Sequence, residues 1–214
     1  MHRRNGVATG CTLVLLWLFA LNCDAQYVFT QAEFDSLTLG WAQAADPTNI
    51  GSDMPAWDVS GVTSMHLAFA RSRQTHSIDF NYNLESWDVS KTNTFMSAFY
   101  DRSEFQGGNL NGWDTSSATS VRSTFSGNTN FNGNMAAWDT SSTKTMRSMF
   151  YKAGGFNGNV EAWDTSSVTN LAYTFSKTIE FNGNLNGWDT SSATSLNPIF
   201  YAAVEFNGNV EAWD

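Results

Sequence analysis

The chain has 214 residues, with 20 acidic and 11 basic side chains and a formal net charge of −9. This negative charge disfavours nucleic acid and anionic membrane surfaces as partners, because both require a basic patch. It permits cations and basic proteins.

Residues 1–25 have the pattern of a secretory signal peptide. Arg3 and Arg4 precede an apolar run over 13–21, and Cys23-Asp-Ala25 fits a small-residue cleavage site. A membrane anchor is disfavoured, because the run is about half of the ~20 residues that a span requires. A lipid anchor on Cys23 is the other alternative. Cleavage would remove both cysteines, so we expect a secreted or cell-surface chain without disulfides.

Residues 26–52 predict an N-terminal capping helix and a linker. Thr30 and Glu33 have the spacing of a capping box, and Phe34, Leu37 and Trp41 follow at helical spacing. We expect a helix over residues 31–43 that covers the apolar end of the first repeat, as terminal units of repeat proteins require.

Residues 53–214 form a repeat domain marked by a Trp-Asp pair. The steps between successive pairs are 30, 26 and then 25 residues, and a fixed period of this size is typical of solenoids. The units begin near Trp57, Trp87, Trp113, Trp138, Trp163, Trp188 and Trp213.

Positions within each unit are counted here from its Trp as zero. Position +12 is always Phe, and the spacing of the apolar positions +5, +8 and +12 predicts a short helix, roughly Val168 to Phe175. Alternation of the Trp and the +2 residue with polar residues predicts a short strand. We therefore expect an α/β fold: a leucine-rich-repeat-like solenoid of about six 25-residue turns, with parallel strands on one face and short helices on the other.

A Phe-Asn-Gly-Asn block opens most units. Its second Asn is expected to be buried and to tie neighbouring turns together, and its Gly to have positive φ. Tyr82 interrupts the Gly series. The Asn series is Asn83, Asn109, Asn134, Asn159, Asn184 and Asn209, and the Gly series is Gly107, Gly133, Gly158, Gly183 and Gly208.

An acidic and hydroxyl-rich face is expected beside the Trp residues, because the residues that alternate with an inward Trp point outward. Each Asp could cap a turn by accepting from the following backbone N–H groups. It could instead form part of a ligand face, which Ca²⁺ could use. The two interpretations are compatible if each Asp keeps one free oxygen. The candidate residues are Asp58, Asp88, Asp114, Asp139, Asp164, Asp189, Ser116, Ser141, Ser166 and Ser191.

No other cofactor and no catalytic site is predicted. His66 and His76 lack repeated Cys or carboxylate partners and are interpreted as surface residues, so we expect the chain not to be an enzyme. Tyr100, Tyr151 and Tyr201 occur in alternate units and are interpreted as either partly buried or part of a binding surface.

The Trp-Asp-(Val/Thr)-Ser-x-Val-Thr-x-Met-x-x-x-Phe and Phe-Asn-Gly-Asn patterns resemble those of BspA-like leucine-rich-repeat surface proteins over about residues 29–214. The resemblance implies a secreted or surface-attached chain. Some members of that family are adhesins, and the family offers no catalytic residues to transfer.

The leading functional hypothesis is therefore an extracellular interaction or adhesion module that binds a protein or a glycan. The alternative is an ice-, glycan- or mineral-binding surface, and hydrolysis of a wall polymer is the least favoured hypothesis. The last Trp-Asp pair, Trp213 and Asp214, has no following unit to cover it. We therefore expect either a longer product or self-association through this end.

Overall fold

The computed structural model describes residues 28–43, 54–74, 80–211 and 213. The predicted signal peptide, residues 44–52 of the predicted linker and His76 lie outside these described residues. Within them, no helix is long and apolar enough to cross a bilayer.

The N-terminal helix, α1, spans Gln31–Gln43, as predicted. Its capping box is formed: the backbone N–H and the hydroxyl of Thr30 donate to the Glu33 carboxylate at 3.0 and 2.7 Å. Phe34 and Trp41 are fully buried. The Phe34 ring lies edge-on to Trp57 at 6.4 Å, so α1 covers the first unit.

The units after α1 are stacked coils, and the predicted α/β leucine-rich-repeat-like solenoid is wrong. In the described residues after Gln43, the only helices are the short 3-10 segments Met54–Ala56 and Arg71–Arg73, and no strand is formed. Single-residue parallel bridges replace a sheet. The series at position +7 joins Ser64, Thr94, Ser120, Thr145, Asn170 and Ser195.

The predicted helices are absent because the backbone of this segment bonds to the next coil. The N–H groups of Met146, Ser148, Phe150 and Lys152 donate to carbonyl oxygens one coil further on, at 2.9–3.0 Å. Such donors are not available for bonds to residue i−4 of a helix. Position +10 also adopts left-handed φ values in five coils, for example 62° at Tyr173, which is incompatible with an α-helix.

The predicted strands are absent because side chains join the coils beside the Trp. The backbone N–H of Trp163 donates within its own coil to the carbonyl oxygen of Val160 at 3.2 Å. The Trp163 indole N–H donates to the carbonyl oxygen of Met135 in the preceding coil at 3.1 Å. One residue beyond the following Asp, the buried Thr165 hydroxyl donates to the carbonyl oxygen of Asp189 in the next coil at 2.9 Å.

The core consists of three columns of aromatic rings, one ring of each column per coil. Successive Trp rings from Trp57 to Trp213 lie 6.0–6.5 Å apart and within 13° of parallel. The +12 Phe column has spacings of 5.6–6.0 Å. Within one coil, the rings of Phe150 and Phe156 stack at 3.8 Å. The predicted inward position of the Trp column is confirmed.

Both expectations for the Phe-Asn-Gly-Asn block need correction. The fourth-place Asn residues are exposed rather than buried, and Asn159 Oδ1 accepts from the backbone N–H of Glu161 at 3.0 Å. Among the five predicted glycines, only Gly107 has positive φ. A side chain is excluded at Gly158 because a Cβ would lie 2.8 Å from its own Phe156 ring.

Arg102 is a buried cation that was not predicted from the sequence. Its guanidinium lies 4.9 Å from the Trp41 ring centroid, and Nε donates to the carbonyl oxygen of Phe69. Burial lowers the pKa of Arg102 to about 10. The signal in the sequence is a charged residue at a position that is uncharged in the later coils. The four later coils have Asn128, Ala153, Thr178 and Ala203 at the position of Arg102.

Replacing Trp163 by Ala should destabilise the protein by roughly 3–5 kcal/mol, the usual cost of truncating a large buried aromatic residue. The side chain is 1% exposed, stacks on Trp138 and Trp188, and makes the hydrogen bond to Met135. Urea unfolding measures the effect. Tyr201→Ala, which truncates a ring that is 60% exposed, is the control. Equal midpoints for the two variants would contradict the packing.

Candidate functional site

The six candidate Asp residues form one exposed or partly exposed row, named here the acidic edge. At each position Oδ1 accepts from the backbone N–H of the Ser two residues later, at 2.9–3.0 Å. These bonds are the turns that the capping interpretation requires. Oδ2 has no hydrogen-bond donor among the described residues. The members of the acidic edge are Asp58, Asp88, Asp114, Asp139, Asp164 and Asp189.

The candidate Ser residues help to hold these carboxylates. The hydroxyls of Ser116, Ser141 and Ser166 each donate to Oδ1 of their own Asp at 2.6 Å. The backbone N–H of Ser191 donates to Oδ1 of Asp189 at 2.9 Å, and the Ser191 hydroxyl also lowers the pKa of this carboxyl. The Ser residues therefore orient the carboxylates and supply few free hydroxyl groups of their own.

The Thr hydroxyls at position +2 do not contribute to the surface. Thr115, Thr140, Thr165 and Thr190 are at most 4% exposed, so their side chains point inward. Thr140 donates to the carbonyl oxygen of Asp164 in the next coil at 2.9 Å. The surface repeat that remains is the row of carboxylates.

Local hydrogen bonds favour the ionised form of four carboxyl groups of the acidic edge. The pKa values of Asp88, Asp114, Asp164 and Asp189 lie below the ordinary value, mainly because of the hydroxyl and then the backbone N–H of the following Ser. Repulsion between neighbouring carboxylates acts in the opposite direction. The charge of Asp88 raises the pKa of Asp114, but it is the smallest of the contributions to the shift of that pKa. At Asp114, hydrogen bonding therefore outweighs the repulsion from the neighbouring carboxylate.

Asn side chains form a second polar row, in the second place of the Phe-Asn-Gly-Asn block. Oδ1 of Asn132 accepts from the backbone N–H of Asn157 at 3.0 Å. Oδ1 of Asn157 accepts in the same way from the backbone N–H of Asn182 at 2.9 Å. These are the amides that tie neighbouring coils together. This role was predicted for the other Asn of the block, because periodicity alone does not distinguish the two residues.

An open cleft of about 530 Å³ lies where the repeat is irregular. Tyr82, Gln106 and Asn130 contribute to its lining, and the Glu85 carboxylate accepts from the Asn109 amide at 2.7 Å. Amides, a carboxylate and a tyrosine together can bind the hydroxyl groups of a sugar. The regular coils lack this combination because Gly occupies the place of Tyr82.

The calcium hypothesis stays a prediction. In the part of the chain that the structure describes, no three His, Cys, Asp or Glu side chains come close enough to share a metal ion. The His66 side chain is exposed there.

Comparison with known proteins gives one match. The family model described as "Mycoplasma protein of unknown function, DUF285" matches residues 41–154 and, in a second overlapping match, residues 119–214. Together the matches cover well over half of the chain. The chain belongs to the DUF285 family. No curated protein and no solved structure matches it.

The DUF285 matches cover all seven Trp-Asp pairs, and the two matched ranges overlap within the regular 25-residue coils. A match in two overlapping copies agrees with the stacked coils, in which each unit repeats the contacts of the preceding one. The family description gives no activity, so the acidic edge and the cleft remain candidate sites.

The lowered Asp pKa values predict a loss of stability in acid. A depressed folded-state pKa stabilises the fold above the unfolded value of about 4 and loses this contribution as the pH falls through the folded value. The melting temperature should therefore fall below about pH 4. It should fall less steeply in the triple variant Asp114→Asn, Asp164→Asn and Asp189→Asn, measured by circular dichroism. Identical pH profiles would contradict the role of these carboxylates.

Proposed function

We propose that the chain is a non-catalytic interaction module, secreted or held at the cell surface, whose acidic edge binds a basic macromolecule. The observation that carries the proposal is the acidic edge itself: one oriented, ionised carboxylate per coil, with one oxygen bonded to the turn and the other accessible. A partner with regularly spaced cations would complement this row.

The aromatic columns support this role because they hold the coils in a fixed register. A rigid surface requires little ordering on binding, so more of the contact free energy appears as affinity. The resemblance of the repeat to BspA-like surface proteins supports the proposed location outside the cell. The N-terminal segment that resembles a signal peptide supports it independently.

The alternative is binding of a glycan, and the polar cleft at Tyr82 favours it. The cleft offers free amides and a phenol hydroxyl, whereas the inward Thr residues weigh against an ice-binding surface. A glycan ligand would occupy the irregular repeat, so it can be separated experimentally from a partner of the acidic edge.

Replacing Asp139, Asp164 and Asp189 by Asn tests the proposal. The turns should survive because Asn159 and Asn184 already form the same turn with their own Oδ1 atoms. Binding of a fluorescein-labelled oligolysine peptide, followed by fluorescence anisotropy, should weaken roughly fivefold or more.

The matched control is the triple variant Glu180→Gln, Glu205→Gln and Glu211→Gln, which removes the same charge at exposed positions outside the acidic edge. If peptide binding weakens equally in the two triple variants, binding depends on net charge alone and the acidic edge is not a specific binding site. On a glycan array, a signal lost in Tyr82→Ala and kept in the Asn variant would favour the glycan alternative.

A further inference from the structure

Cations and tyrosines from three consecutive coils form a second charged surface, named here the basic tyrosine patch. The Arg147 guanidinium lies 5.4 Å from the Tyr173 ring centroid, and this ring meets Tyr151 edge-on at 6.4 Å. Lys177 Nζ lies between Tyr151 and Tyr201, at 6.0 and 5.9 Å. The members of the patch are Arg147, Tyr151, Lys152, Tyr173, Lys177 and Tyr201.

The cations of the patch are not neutralised by the protein. No carboxylate of the described residues forms an ion pair with Arg147, Lys152 or Lys177, although the chain has a net charge of −9. Tyrosine rings attract cations through their π-electrons but leave the positive charge in place. The patch is therefore a local excess of positive charge on an acidic protein.

Three residues of the patch lie at turn positions that have left-handed φ values in most coils. Lys152, Tyr173 and Lys177 have φ values of 61–62°, in the left-handed region that bulky residues rarely adopt. Equivalent positions of an earlier coil have Ser123 and Gly127, so small residues also form these turns, and Gly127 does so without steric cost. Stacking of the coils therefore does not require large side chains at these positions.

We propose that the basic tyrosine patch binds a short acidic segment of a partner protein. Tyr and Arg are enriched at protein interfaces and at their energetic hot spots, because they combine a large contact area with hydrogen bonding. The Tyr201 side chain is 60% exposed and Lys152 is exposed, so both are accessible to a partner.

The surroundings of the patch favour a short segment over a long polyanion. Asp101 occupies the position of Lys152 two coils earlier, and the exposed Glu180 and Glu205 follow Lys177 and Tyr201 in the sequence. A nucleic acid or a sulfated polysaccharide would extend past the three coils and meet these carboxylates. A segment of a few acidic residues would end within the patch.

The test uses a short glutamate-rich peptide labelled with fluorescein. The wild-type chain should bind it in a salt-dependent manner. The variant Lys152→Gln with Lys177→Gln should bind roughly fivefold or more weakly. Lys91→Gln with Lys144→Gln makes the same charge change at exposed positions outside the patch and should bind like wild type. Circular dichroism monitors folding of each variant.

A charge reversal separates recognition from a structural effect. Lys152→Glu with Lys177→Glu should gain oligolysine binding relative to Lys91→Glu with Lys144→Glu. Absence of glutamate-peptide binding, equal losses in both Gln pairs, or tighter binding of heparin or single-stranded DNA to the patch would overturn the proposal. The acidic edge is tested by different variants and a peptide of opposite charge, so either proposal can fail without the other.

Discussion

A coil of 25 residues is too small to satisfy its own hydrogen bonds or to bury its own aromatic rings, so each coil depends on its neighbours. Ordering the backbone costs about 1–2 kcal/mol per residue, and burial of a large apolar side chain returns about 1.5–3 kcal/mol. A coil gains this burial free energy only when a neighbouring coil covers its aromatic rings. The Trp column supplies this cover, and the indole of Trp163 also joins its coil to Met135 of the preceding one.

This dependence explains both the fold and the exposed rows. In the segment around Phe150, backbone donors point to the next coil, and left-handed residues such as Ser148 turn the chain without forming a helix. The stacked rings and the hydrogen bonds between coils fix the register, so equivalent residues of successive coils lie above one another. A side chain that is outward in one coil is therefore outward in the next, which produces the acidic edge and brings Lys152 and Lys177 together.

The sequence predicted what depends on local pattern or on repetition. The capping box and the spacing of Phe34 and Trp41 predicted α1 with the correct bounds, and the repeated Trp predicted the core. The predicted secondary structure of the coils was wrong because apolar residues at positions +5, +8 and +12 are compatible with a helix and with a turned coil equally. Gly158 was correctly singled out, but for positive φ rather than for steric reasons. Its Phe156 ring leaves no room for a Cβ atom, which a sequence pattern does not reveal. In the basic tyrosine patch, Tyr151 and Tyr201 were singled out as a possible binding surface, but the cations were missed because Lys occupies the position of Lys152 and Lys177 in only two coils.

Native-state hydrogen exchange, measured by nuclear magnetic resonance, tests most directly the claim that bonds between coils replace regular secondary structure. The amides of Phe150 and Lys152, which donate to Thr174 and Ser176 of the next coil at 3.0 Å, should be among the slowest to exchange. The amide of Ser141, bonded only to the exposed Asp139 carboxylate, should exchange much faster. Equal exchange rates at Phe150, Lys152 and Ser141 would contradict the account.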